Sequence, residues 1–120
     1  MSPNPDEAKS QESLVKGLVL SKRDLCNQDF RRANLKRAKF VKAVLKNCQF
    51  DGANCRRANF SGADLSGSSF RNARLQKANF RGALLKDVNL QGARLEGASF
   101  DEVVMKWLTE NGYFHNAVGD

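Results

Sequence analysis

The sequence predicts a solenoid whose chain turns a corner every five residues, and three observations lead to that reading. A large apolar residue falls on every multiple of five from Leu20 to Phe100, reduced in size only at Cys55. Two positions before it stands a small residue, Ala at 33, 38, 43, 53, 58, 63, 73, 78, 83, 93 and 98. Two positions after it Gly or Asn recurs, at Gly17, Asn27, Asn47, Gly52, Gly62, Gly67, Asn72, Gly82, Gly92 and Gly97. No straight element has this period. On an α-helix five residues advance by about 140° beyond a full turn, so the apolar centres would spiral over every face. On a flat strand an odd period throws successive centres to opposite sides. A chain that bends once per unit keeps every centre on one axis.

Ala58–Gly67, ANFSG ADLSG, shows the unit twice. Phe60 and Leu65 are the inward centres, Ala58 and Ala63 the tight second inward sites, and Gly62 and Gly67 the corners. Gly and Asn reach positive φ at low cost, as the third residue of a type II turn requires. Arg32, Arg37, Lys42, Arg57 and Lys77 fill the corner site elsewhere. Another turn type is expected there, with N-terminal coils less regular than C-terminal ones.

These units, among them ANLKR (33–37), ANFSG (58–62), ADLSG (63–67) and ANFRG (78–82), resemble the pentapeptide-repeat family, whose consensus is A-[D/N]-[L/F]-x-x. The resemblance covers about 80 of the 120 residues. It implies an all-β solenoid: a right-handed quadrilateral β-helix with four units per twenty-residue coil, hence about four coils with a short C-terminal α-helical cap. Under that period Leu25, Leu45, Leu65 and Leu85 stack on one face, and Phe30, Phe50, Phe70 and Leu90 on the next. Leu35, Cys55, Leu75 and Leu95 form the third face, and Phe40, Phe60, Phe80 and Phe100 the fourth. From residue 28 on, Gln28, Cys48, Ser68 and Val88, the departures from Ala at the second inward site, all fall in one column, which favours four sides over two.

The resulting organisation is a polar N-terminal segment at 1–17, the repeat at 18–100, and a helical cap and tail at 101–120. A solenoid exposes its core at both ends and needs covering there. Pro5–Val15 reads as a loose helix or an unstructured lead-in. Asp101–Asn111 reads as an amphipathic helix capped by Asp101 or Ser99, with Val104, Trp107 and Leu108 on one face and Gly112 ending it. The residues suggest a lid over Phe100 and Leu95. The resemblance implies a homodimer contact at this end, for which Trp107, Leu108, Tyr113 and Phe114 are the candidates.

No catalytic constellation is present: GxSxG, HExxH and phosphate-binding glycine loops are missing, and the only histidine, His115, lies outside the repeat. An enzyme is not expected, nor a cofactor. Cys26, Cys48 and Cys55 form no CxxC and lack the partners zinc needs, so Cys48 and Cys55 read as buried hydrophobes. No apolar run approaches the ~18 residues of a membrane span, and the polar N-terminus carries no secretory pattern, so a cytoplasmic protein is expected.

Charge is the informative outward feature. Residues 21–100 hold 17 Lys and Arg against 6 Asp and Glu, a net of +11, while the whole chain carries +7. On the third face and its corner, Lys36, Arg37, Arg56, Arg57, Arg74, Lys77 and Arg94 stack with only Glu96 opposing them. Two readings stay open at this point. One is a solvated, solubilising face. The other is a binding stripe of a non-enzymatic interaction module for an acidic protein surface, with nucleic acid or anionic lipid as the alternative. The resemblance adds a third alternative, a topoisomerase-targeting mimic of duplex DNA. That mechanism relies on a negative surface, which a basic repeat does not provide.

Overall fold

The computed structural model describes residues 17–113, so the expectations for Pro5–Val15 and Phe114 lie outside the described residues. From Gly17 to Phe100 a two-residue turn and a single bridging residue alternate every five positions without a break. Each bridge is parallel and joins residues twenty apart, from Val19↔Lys39 to Asn79↔Ser99. Four turns therefore fall within each twenty-residue coil, which has four sides.

The backbone's hydrogen-bonding needs explain the five-residue unit. The centre and the corner donate to the next coil, as in Phe30 N–H to Gln49 O (2.7 Å) and Arg32 N–H to Asp51 O (2.9 Å). The bridging residue donates to the coil before, as in Gln49 N–H to Gln28 O (3.0 Å). The small inward residue closes the turn, as in Ala33 N–H to Phe30 O (3.1 Å). That leaves the N–H just after each centre, and an Asx turn supplies its acceptor. Every Asn or Asp at the bridging position, Asp24, Asp29, Asn34, Asn54, Asn59, Asp64, Asn79 and Asn89, accepts the N–H two residues on through Oδ1, at 2.9–3.3 Å. Ser69 is too short to do this, and Asp51 from the preceding coil accepts Arg71 N–H at 2.9 Å in its place.

The interior is a wall of stacked, buried rings. Phe40, Phe60, Phe80 and Phe100 stack at 4.9–5.0 Å between centroids, and Phe30, Phe50 and Phe70 at 4.5–5.1 Å. The two files meet edge to face, as at Phe50–Phe60 (5.7 Å, 87°). The column that departs from Ala is where polar atoms enter. Ser68 Oγ accepts Cys48 N–H (3.0 Å) and donates to Leu45 O (2.6 Å), standing in for the turn's own closing bond. Cys48 Sγ donates to Leu25 O one coil earlier (3.0 Å). Cys48 and Cys55 are buried, as read from the sequence.

Two expectations fail. Arg32, Arg37, Lys42, Arg57 and Lys77 do not use another turn type; their φ values, 59–64°, match those of the Asn corners at 56–63°. The inter-coil hydrogen bonds force the same conformation at every corner, whatever residue stands there. For the same reason the N-terminal coils are as regular as the rest, with bridges in one unbroken register.

Helix α1 (Glu102–Glu110) follows the last coil. Asp101 precedes it in an extended conformation but makes no side-chain cap bond, contrary to expectation. Its carboxylate instead accepts Gly82 N–H (3.0 Å), a corner donor that has no further coil to bond to. Gly112 ends the helix at φ 83°. Tyr113 N–H reaches Leu108 O (2.9 Å) and Gly112 N–H reaches Thr109 O (3.2 Å), a Schellman closure. Leu108 is buried in the core, and Val104, Met105 and Tyr113 pack against it. Among the described residues no helix is long and apolar enough to cross a membrane.

Candidate functional site

The coil geometry divides the seven basic residues of the predicted stripe into columns with different surroundings. Lys36 and Arg56 occupy the position after the centre, and their N–H groups are held by Asn34 (3.2 Å) and Asn54 (3.3 Å). Arg56 Nε also donates to Asn54 Oδ1 at 3.1 Å, which ties its guanidinium to the face. Arg74 and Arg94 stand at the bridging position of the same side, paired through Arg74↔Arg94. Arg94 Nε lies 4.0 Å from Glu96, a long, exposed ion pair worth little.

Arg37, Arg57 and Lys77 are different. They form the corner column itself, bounded by Gly17 and Gly97 at its two ends. Each corner N–H bonds one coil on, Arg37 to Arg56 O, Arg57 to Gln76 O and Lys77 to Glu96 O, all at 2.9 Å. The three cations thus rise along the axis at the strand spacing of about 4.8 Å. All three are exposed. Among the described residues none has an ion pair or a side-chain hydrogen bond, whereas Arg31 is paired with Asp29 (2.7 Å) and Lys46 with Asp64 (3.8 Å).

Two costs fall on this column. Like charges stacked one coil apart repel. Each residue is also held at φ 61–64°, where a side chain with a Cβ is strained by roughly 1 kcal/mol and glycine is not. Corner side chains lean over the next coil, so that a Cβ added at Gly97 would lie 3.0 Å from Lys77 Cγ. Glycine at 97 leaves Lys77 room. The sequence identified these cations but not their backbone strain, because nothing in a single sequence shows that an Arg corner keeps the glycine-like conformation.

The candidates at the C-terminal end separate as well. Leu108 is buried and joins the core as a contact of the cap. Trp107 is 55% exposed and stacks on Tyr113 with 6.0 Å between centroids. Beside Trp107 an apolar groove of about 580 Å³ runs between Leu85, Val88 and Leu90 of the last coil and Val103 and Val104 of the helix. Sequence reasoning missed this groove; its signal was the apolar run Leu85, Val88 and Leu90 in the last coil, followed by the valines of the helix.

The family model described as a pentapeptide repeat region matches residues 23–100. No relative was found among the curated proteins. Among solved structures, the pentapeptide repeat protein alr5209 from Nostoc Pcc 7120 is 28% identical, with a TM-score of 0.53 over 62% of this chain and 86% of that one. A pentapeptide repeat protein (Rfr23) from the cyanobacterium Cyanothece 51142 is 26% identical, with a TM-score of 0.48 over 69% of this chain and 64% of that one. HetL from Nostoc sp. strain PCC 7120, a pentapeptide repeat protein involved in heterocyst differentiation regulation, is 30% identical, with a TM-score of 0.38 over 72% of this chain and 50% of that one. The chain therefore spans about two thirds or less of two of these three structures.

Proposed function

The chain belongs to the pentapeptide-repeat family, and from that premise we propose that it is a non-enzymatic interaction module whose basic corner meets an acidic surface on a partner protein. Its scaffold is the right-handed quadrilateral β-helix that the family implies, about four coils over 18–100, with helix α1 closing the C-terminal end. The observation that supports the reading is the corner column. Arg37, Arg57 and Lys77 stack unpaired among the described residues on three successive coils, in a backbone conformation that glycine fits better and that Lys22, Arg32 and Lys42 share at the other corners. A face needed only for solubility gains nothing from placing cations at strained corners, since any exposed position would serve. Cys26, Cys48 and Cys55 are all free thiols, which suits a reducing compartment such as the cytoplasm.

Affinity capture with the intact chain beside R37G/R57G/K77G tests this. Glycine suits the corner conformation, so the variant removes charge without disturbing the coil. Proteins retained by the wild type and lost on the variant are expected; identical retention defeats the reading. Electrophoretic mobility of a generic DNA duplex at low and moderate salt tests the nucleic-acid alternative, for which the same variant must abolish the shift. A dimer through the C-terminal end is a separate reading, favoured by the exposed Trp107 and Val103. Sedimentation at varied concentration decides it, and a species monomeric throughout defeats it.

A further inference from the structure

Amides border the corner cations on both sides, beside Lys39 and Arg74. On the leading side stand Asn34 and Asn54, and on the trailing side Asn59 and Asn79. In each, Oδ1 is committed to an Asx turn, accepting the N–H of Lys36, Arg56, Ser61 or Arg81. An amide whose oxygen is held in this way has only its Nδ2–H groups left to offer. None of these Nδ2 atoms is both buried and without a partner, because Gln76 Oε1 is the sole such atom among the described residues. All four residues are partly exposed beside the cations.

Aspartate would do the same structural work. Asp24, Asp29 and Asp64 make the same turn to Cys26 (3.2 Å), Arg31 (3.0 Å) and Ser66 (3.1 Å). Beside a file of unpaired cations, aspartate would also relieve the repulsion. Yet the acids of this type all lie on the other two faces, and the columns bordering Arg37, Arg57 and Lys77 carry amides or cations, Asn34, Asn54, Arg74 and Arg94 on one side and Lys39, Asn59, Asn79 and Ser99 on the other, and no acid. The fold alone favours the opposite arrangement.

We propose that Asn34, Asn54, Asn59 and Asn79 belong to the binding surface, widening the basic corner into a donor-rich strip that receives carboxylates of a partner protein. This rests on the interaction reading of the corner given above and adds the partner's chemistry. Cations recurring at about 4.8 Å lie close to the ~5–6 Å between side chains along one face of an acidic helix. No aromatic side chain stands outward on these columns for bases to stack on, which disfavours nucleic acid.

The test uses the full chain, a helical peptide bearing glutamates at i, i+4 spacing on one face, and a short DNA duplex, each titrated by fluorescence anisotropy. Asn79→Asp and Asn89→Asp are a matched pair. Each side chain holds one Asx turn, to Arg81 N–H and Gln91 N–H at 2.9 Å, and each substitution adds one negative charge. Only Asn79 borders the corner. Asn79→Asp is expected to weaken peptide binding about tenfold, the loss of a charge-assisted bond, while melting no lower than wild type; Asn89→Asp leaves binding nearly unchanged. If both variants bind alike while R37G/R57G/K77G loses the peptide, the amide columns are not part of the site and the corner reading stands. If the wild type ignores the peptide, or the corner variant binds it as well as the wild type does, the corner reading itself falls. If the duplex binds more tightly than the peptide with the same order of variants, the ligand is a phosphate backbone and the carboxylate assignment is wrong.

Discussion

Phe40, Phe60, Phe80 and Phe100 repeat one residue type at twenty-residue spacing, and three positions before each of them a corner repeats one backbone conformation. On the Phe file sequence and structure agree: identical rings stack at 4.9–5.0 Å. At the corners they part. The conformation is constant, with φ between 56° and 78° along the repeat, while the residue is Gly, Asn, Asp, Lys or Arg. The core selects its residues because burial penalises any other shape. The corner constrains only the backbone and leaves the side chain to other demands. A residue the fold would not choose, at a position where the fold has a preference, is the signal that points to a partner.

That contrast can be tested from the inside outward. Phe60→Ala removes a ring packed between Phe40 and Phe80 and should cost about 3–5 kcal/mol in a urea melt; a loss below about 1 kcal/mol would mean the wall is not close-packed. Ser68→Ala should cost about 1–3 kcal/mol, because Cys48 N–H and Leu45 O both lose their partner in a buried interior. At the corners, Gly67→Ala and Gly82→Ala impose the same φ strain but different contacts. A Cβ at 67 would stand 2.2 Å from Asn47 Oδ1, and at 82 it meets nothing closer than 3.6 Å. The first should melt at lower urea than the second; equal midpoints would show that the Asn47 amide swings aside freely. The smallest effect is chemical. Burial pushes the Cys48 thiol up to about 11 and the Cys55 thiol higher still. At neutral pH the native chain should therefore be labelled at Cys26 alone, slowly, because the hydrogen bond to Asp24 also raises that thiol. Rapid labelling of all three without denaturant would contradict the interior.

Much of the fold was legible in the sequence, because an odd period forces a bend and a tight interior admits only small residues at its second inward site. Phe30 to Phe100 and the run of alanines announce both demands directly. The Asx turn was not read, although Asn59 and Asp64 stood in plain view, because its purpose appears only when the N–H groups of a whole coil are accounted for. The Arg and Lys corners were misread for the opposite reason: local propensity favours a different turn, and inter-coil hydrogen bonds at 2.9 Å override it. At the site, the seven basic residues were visible as a stripe. The distinction between Arg56, tied to Asn54, and Arg57, held at φ 61° with its guanidinium unpaired among the described residues, appears only in the folded chain. So does the place of Leu108, which lies in the core as a contact of the cap.

The central claim is that Arg37, Arg57 and Lys77 stand at their corners against the interest of the fold. Urea denaturation of R37G/R57G/K77G at low ionic strength tests it most directly. Glycine relieves three strained φ angles and the stacked charges together, so the midpoint should equal or exceed that of the wild type. A midpoint clearly below the wild type would mean that the cations hold the coils together, and the case for a partner at this corner would be lost.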